Sequence, residues 1–515
     1  MLGIKRMMAI AALALAVLSL VWFVARTQNK NSTTDEFFDV EHGQEVSTSA
    51  PVIDVTRVPW TEDSIDEESI DDGKVFRYSI SSLIDDLDPA FADTEAESTI
   101  IYHIYEGLYR TVVGELVPAG ATSVDISEDG LTYTFHLNDK AKWSDGIAVK
   151  ADDYVYGIRR NMDPHLDSPT AYLGDIVKNG AAVRKGELSP KELGVRSDGD
   201  NTLIIELDHP AEYFLYMLQT GAFCPVRGDY VETYGEDFCT CSGKQVYNGP
   251  FYVRSTAGKV IVLEKNPEYW GADTVKLDRV LIQTAVDGDL ATRLYHEGVL
   301  DYASLPSSLA SGEPEAIFYM EGAIDYIVPN LDNVYLANKN LRLAISYAMD
   351  RKSISGLSGN EAFLRFVPPF VSGIDGGTYG RLFPYEAVPE SGNEELAKDY
   401  LRKALSELGC RAKDIRLRAV TVDNGLCLAE AMRFAEQVHM VLGIRIDLVT
   451  VPYSVRNAMM RPHSEEFDLL FTGWIPEYPD ALSFLEPFVS DSGMNFSNYS
   501  SLTYDDWLKR AKTLS

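Results

Sequence analysis

IRLRAVTV (Ile415–Val422), LCLAEAMRFAEQVHMVLG (Leu426–Gly443) and IRIDLVTV (Ile444–Val451) follow one another with almost nothing between them. The outer runs alternate apolar and polar side chains, the pattern of strands. The middle run has helical spacing and closes on Gly443, a residue suited to a helix C-terminus. A strand, helix and strand of these lengths predict a parallel pair joined by a right-handed crossover.

Upstream the rhythm changes. VDISEDGLTYTFHL (Val124–Leu137) alternates on both sides of Glu128-Asp129-Gly130 and predicts a β-hairpin, as does LGVRSDGDNTLIIEL (Leu193–Leu207). VFRYSIS reads as a strand. ESTIIYHIYEGLYR (Glu97–Arg110) reads as a helix with Ile100, His103 or Ile104, and Leu108 on one face. ADDYVYGIRR (Ala151–Arg160) has acids first and arginines last, complementing a helix dipole. NLRLAISYAMDRKSI (Asn340–Ile354) is expected to be one amphipathic helix. Hairpins followed by a βαβ unit predict at least two α/β lobes with mixed sheets.

At 515 residues and 45% hydrophobic content, the chain exceeds the size of a single core. It carries 46 Lys plus Arg against 78 Asp plus Glu, a formal charge of -32. That field repels nucleic acid and anionic headgroups and favours cationic or dipolar partners. Lys5 and Arg6 precede an apolar run from Met7 to Ala25. At about 1.5 Å per residue it spans roughly 28 Å, close to a bilayer's hydrocarbon thickness. Residues 1–26 are thus expected to be a signal anchor or a cleaved signal peptide, with the bulk of the chain outside the cell. Residues 27–73 contain TEDSIDEESIDD and read as a disordered acidic tether.

Of five cysteines, Cys224 brackets a short loop with Cys239 or Cys241, and either pair is a candidate bridge. Cys410 and Cys427 flank a predicted strand and are expected to be free thiols. No GxSxG, HExxH, GxxxxGK[ST] or GxGxxG occurs, and no histidine shares a helix face with another metal ligand. No cofactor, metal or enzymatic activity is expected.

Eight stretches in this order resemble the family 5 solute-binding proteins, the oligopeptide-binding components of bacterial ABC importers. They are IDDLDPAFADT, IYHIYEGLYR, SEDGLTYTFHLNDKAKWSDG, DDYVYGIRRNMDP, YNGPFYV, IVLEKNPEYW, LRLAISYAMDR and GWIPEYPDALSFL. The resemblance implies a bilobed periplasmic-binding-protein-like α/β fold of the large class, with mixed sheets and an extra sub-domain. Its lobes would be discontinuous: 74–112 with 219–320 as the core of lobe 1, 113–218 as the inserted sub-domain, and 321–515 as lobe 2. A monomer would close over an oligopeptide and deliver it to an ABC permease. Relatives of this fold also bind nickel chelates, haem, opines or sugars, and a surface sensor or chaperone is a further reading.

The segment FTGWIPEYPDALSFLEPF (Phe471–Phe488) carries three prolines, three acids and no basic residue. In peptide-binding relatives its counterpart supplies a Trp and, three residues later, an Asp that pairs with the peptide's α-amino group. The resemblance puts Trp474 and Glu477 there, with Asp480 as the alternative carboxylate. Phe471 stands where an enterobacterial relative has an Arg for a ligand carboxylate, and Arg461 lies near a second such position. Thr170 matches a ligand-contacting Tyr, with Tyr172 close by. Family members usually continue beyond the counterpart of SNYSSLTYDDWLKRAKTLS, so the C-terminus is expected to be truncated.

Overall fold

The computed structural model describes residues 74–512 apart from 82–83, 85, 93, 212, 240–243, 257–258, 285, 287, 306–311, 319–321, 370, 372–376 and 385–387. The apolar N-terminal run and the acidic tether lie outside the described residues. Among the described residues, no helix is long and apolar enough to cross a membrane.

Fourteen strands among the described residues make three four-stranded sheets and one two-stranded ribbon. β1 (Val75–Ser79) lies parallel to β10 (Arg279–Gln283), followed by antiparallel β9 (Val260–Lys265) and β8 (Phe251–Ser255). The second sheet runs β4 (Ala121–Ile126), β5 (Thr132–Leu137), β7 (Thr202–Glu206) and β6 (Val195–Ser197), all antiparallel. Both expected hairpins are there. Gly130 and Gly199 take the positive φ values, 68° and 71°, that their turns require. β2 (Tyr109–Val112) and β3 (Glu115–Pro118) form the ribbon. A single hydrophobic core joins these sheets and the helices Glu95–Ile104 and Ala151–Asn161, with Trp143, Phe135 and Ile104 fully buried. Asp88, from the IDDLDPA stretch, receives Arg160 in a bidentate pair at 2.9 and 2.5 Å.

The helix expected to run through Leu108 ends at Ile104. Asn248 takes the backbone N–H of Glu106 and donates to its carbonyl, so the chain here pairs with a side chain instead of continuing the helix. Gly107 then passes so close to the backbone that a Cβ would lie 2.2 Å from the Leu218 carbonyl oxygen.

The third sheet orders β11 (Ile324–Pro329), β14 (Leu469–Trp474), β12 (Arg416–Val422) and β13 (Arg445–Val451). β12, β13 and β14 are parallel and β11 antiparallel, with the crossover helix Gly425–Leu442 between β12 and β13 as the sequence predicts. Asn424 caps that helix by accepting from Leu426 and Cys427 N–H, and Gly443 ends it in the left-handed region. The helix expected over Asn340–Ile354 is two helices, Lys339–Ala348 and Arg351–Ser358. Met349 is extended. Asp350 caps the second helix, while its own N–H donates to Gln437 of the crossover helix at 2.9 Å, a tertiary contact that fixes the break.

No bridge joins Cys224 to Cys239. Both are buried free thiols, Cys224 directed to the Thr220 carbonyl and Cys239 against the Tyr105 hydroxyl; Cys241 is outside the described residues. Cys410 and Cys427 are free and half-buried.

Candidate functional site

β12, β13 and β14 all end on one side of the third sheet, and β11 begins there. In open α/β sheets that rim is where ligands bind. Beyond Trp474 the chain leaves the sheet through Pro476, Glu477, Tyr478 and Pro479, then starts the short helix Ala481–Leu485. The core that joins the first two sheets and the ribbon is one body and the third sheet with its helices the other, and this exit segment spans the two. Tyr478 is buried in the core of the first body, its ring stacked on Tyr213 with centroids 4.1 Å apart and planes 8° from parallel. Its hydroxyl donates to Glu486 at 2.8 Å.

Glu477, one residue earlier, accepts a hydrogen bond from the Tyr172 hydroxyl at 3.3 Å. Two residues 305 positions apart, both singled out from sequence, therefore meet. Burial raises the Glu477 carboxyl above the usual glutamate range, and the Tyr172 hydroxyl acts in the opposite direction. Among the described residues no cation pairs with it. Tyr102, on the Glu95–Ile104 helix, completes this corner: its ring is exposed, yet its hydroxyl is raised by burial and by the charges of Glu477 and Cys224.

The other expected residues fall elsewhere. Trp474 is buried with Ile324, Val367, Val371 and Phe484, and its indole N–H has no hydrogen-bond partner among the described residues. Thr170 is also buried, with its hydroxyl bonded to the Asn161 side chain at 3.0 Å and the Ala90 carbonyl at 3.3 Å. Asp480 caps the Ala481–Leu485 helix through the Leu482 N–H at 2.8 Å, and burial raises its carboxyl. Arg461 is exposed and paired with Glu466 at 3.3 Å. The structure thus joins Glu477 with Tyr172 and commits Thr170, Asp480 and Arg461 to other contacts within the protein.

Two residues that matter escaped the sequence reading. Tyr102 lies off the apolar stripe of its helix, and a large aromatic there was the available signal. Arg456 is 7% exposed, which is unusual for a charged side chain. Its guanidinium donates to Asn457 at 2.8 Å and Thr472 at 3.1 Å and lies over the Tyr453 ring. Among the described residues no carboxylate pairs with it. Nothing in its local sequence foretells the burial.

Comparison with known proteins bears on this geometry. The chain is 29% identical over 466 residues to the dipeptide-binding protein of Lactococcus lactis, covering 85% of this chain and 83% of that one. The structure of Listeria monocytogenes OppA bound to peptide superposes with a TM-score of 0.76 at 29% identity, covering 85% and 88% of the two chains. Two structures of the murein tripeptide-binding protein MppA, each 26% identical and covering 85% and 86%, differ in likeness. The Escherichia coli MppA structure gives a TM-score of 0.76 and the unliganded open form gives 0.59, so the lobes here depart from that open arrangement. Residues 115–496 match the model of bacterial extracellular solute-binding proteins, family 5, middle part. The resemblance in the eight sequence stretches, the bilobed fold and this match over most of the chain agree: the protein belongs to the family 5 bacterial extracellular solute-binding proteins.

Proposed function

We propose that the protein captures oligopeptides between its two lobes outside the cell and hands them, as a monomer and without chemical change, to an ABC permease. The Glu477 carboxylate carries this reading. It sits where the two bodies meet, poorly hydrated, with a tyrosine hydroxyl and, among the described residues, no cation beside it. A peptide ammonium would supply the missing charge and up to three N–H donors. An extended peptide also offers the same backbone donors and acceptors whatever its sequence, which suits an importer of many peptides. Arg456 is the better placed guanidinium for a ligand carboxylate, because Arg461 is occupied by Glu466.

The remaining assignments follow from this role. The apolar run at residues 1–26 anchors or exports the chain. Residues 74–112 with 219–320 form one lobe around the 113–218 sub-domain, and 321–515 form the other. Each four-stranded sheet falls within one part of this division, which supports it, while the β2–β3 ribbon crosses the boundary at 112/113.

Two measurements test the function. Native mass spectrometry of protein purified from rich medium should show a ladder of bound masses two to several residues long; one discrete non-peptide mass would overturn the peptide assignment. Glu477→Gln should weaken free-amine peptides about ten- to hundredfold in calorimetry, the scale of a charge-assisted hydrogen bond. N-acetylated peptides should change little, and equal loss for both removes the ammonium role.

A further inference from the structure

The rim of the third sheet holds a second polar cluster that Glu477 does not use. Asp325 in β11 faces Gly473 in β14, and Ala419 in β12 pairs with Leu469. Leu417, Ala419, Leu469 and Phe471 pack beneath the crossover helix, whereas Val420 and Leu470 pack on the opposite face. Side chains alternate along a strand, so Asp325, Gly473 and Thr421 share the crossover-helix face near the open end of the sheet. Gly473 leaves room there for Asp325: a Cβ at Gly473 would lie 2.7 Å from Asp325 Oδ1.

Asp325 reaches solvent, yet burial holds its carboxyl above the ordinary aspartate range, against a weaker pull from Arg456. Glu430, in the second turn of the crossover helix, which starts just beyond the end of β12, is half-buried and likewise raised, first by burial, with the charge of Asp325 adding to it. Among the described residues neither carboxylate has an ion-pair partner. One row deeper on the same face, Thr421 is wholly buried and its hydroxyl has no hydrogen-bond partner among the described residues. A satisfied interior does not leave such a group idle. Two neighbouring carboxylates without an ion-pair partner among the described residues, above an unsatisfied hydroxyl, match a cationic group rich in N–H donors.

We propose that Asp325 and Glu430 form a second acidic subsite of the cleft, which takes the lysine or arginine side chain of a bound peptide. This rests on the peptide reading above and adds a preference to it. Gly473 and Glu477 are four residues apart, at most about 14 Å along an extended chain. A cross-strand pair sets Asp325 about 5 Å from Gly473. A tri- or tetrapeptide whose ammonium meets Glu477 is therefore long enough to place a basic side chain at Asp325.

Calorimetry on the full chain with Ala-Lys-Ala and Ala-Ala-Lys-Ala, each against its norleucine counterpart, tests the subsite. At least one lysine peptide should bind about tenfold tighter than its counterpart, the scale of one hydrogen bond to a charged group. Asp325→Asn and Glu430→Gln should each erode that preference while norleucine peptides bind as before, which also shows that the variants fold. In the native protein the preference should shrink as salt is raised. Equal affinity for lysine and norleucine peptides, a preference indifferent to salt, or one surviving both substitutions overturns the subsite and leaves peptide capture standing. Failure of every peptide to bind overturns both.

Discussion

Glu477 differs from an ordinary surface glutamate in what surrounds its charge, and this has consequences at two pH-dependent readouts. Burial raises its carboxyl, so it takes up a proton at a higher pH than a solvated glutamate. Free-amine peptides should therefore bind more weakly as pH falls through a window above the usual glutamate range, and N-acetylated peptides should show no such fall. Stability of the ligand-free protein runs the other way. Below the ordinary carboxyl pKa both folded and unfolded chains are protonated and burial carries no penalty. As pH rises from the ordinary to the raised value, the unfolded chain ionises while the folded carboxyl stays protonated, so stability falls, and above the raised value the full cost of holding a poorly hydrated charge is reached. Denaturant titrations across pH should show this decline, and Glu477→Gln should flatten it. The sequence identified Glu477 and Tyr172 through the company they keep in related chains. It did not separate them from Thr170 or Trp474, because the partners that bury those two, Ala90 and Ile324, come from distant parts of the chain.

Elements were legible where local periodicity and caps agreed. The crossover helix has both: Asn424 at its start, Gly443 at its end and an apolar stripe including Ala431, Phe434 and Val438 between them. Asn424→Ala should lower global stability by about 1 kcal/mol, the usual worth of such a cap, measured by urea unfolding. Elements were misread where a distant residue intervened. The Asn248 side chain ends one expected helix, and Gln437 helps divide another. Neither contact leaves a trace in the local pattern. Gly107 marks the first of these sites. Gly107→Ala should cost about 2–4 kcal/mol or abolish folding, because the clashing atom is backbone oxygen, which cannot rotate away. A value near zero in the same unfolding experiment would show that the strand connection is softer than its packing indicates.

Across the whole molecule, binding and folding are linked. A peptide that contacts both lobes stabilises only the folded chain, by about 2.7 kcal/mol when its concentration is a hundred times Kd. Thermal unfolding should shift upward with peptide concentration, and small-angle scattering should show a smaller radius with peptide than without. The described cross-body polar contacts are few and long, including Tyr172 to Glu477 at 3.3 Å and Lys185 to Asp491 at 3.3 Å. Exposed contacts of the latter kind contribute little, so they set only a low barrier to opening.

Tyr478 gives the motion a geometry. Its ring packs in one body only four residues after the strand of the other ends at Trp474, so if it holds there as the lobes move, the connection would act as a pivot with a short lever arm. Glu477 is adjacent to that pivot, and a point beside a pivot moves little when the arms swing. An arriving ammonium would meet its carboxylate at nearly the same place before and after closure. Peptide register would then be set at first contact, and the swing that follows would enclose a ligand already indexed from its amino end.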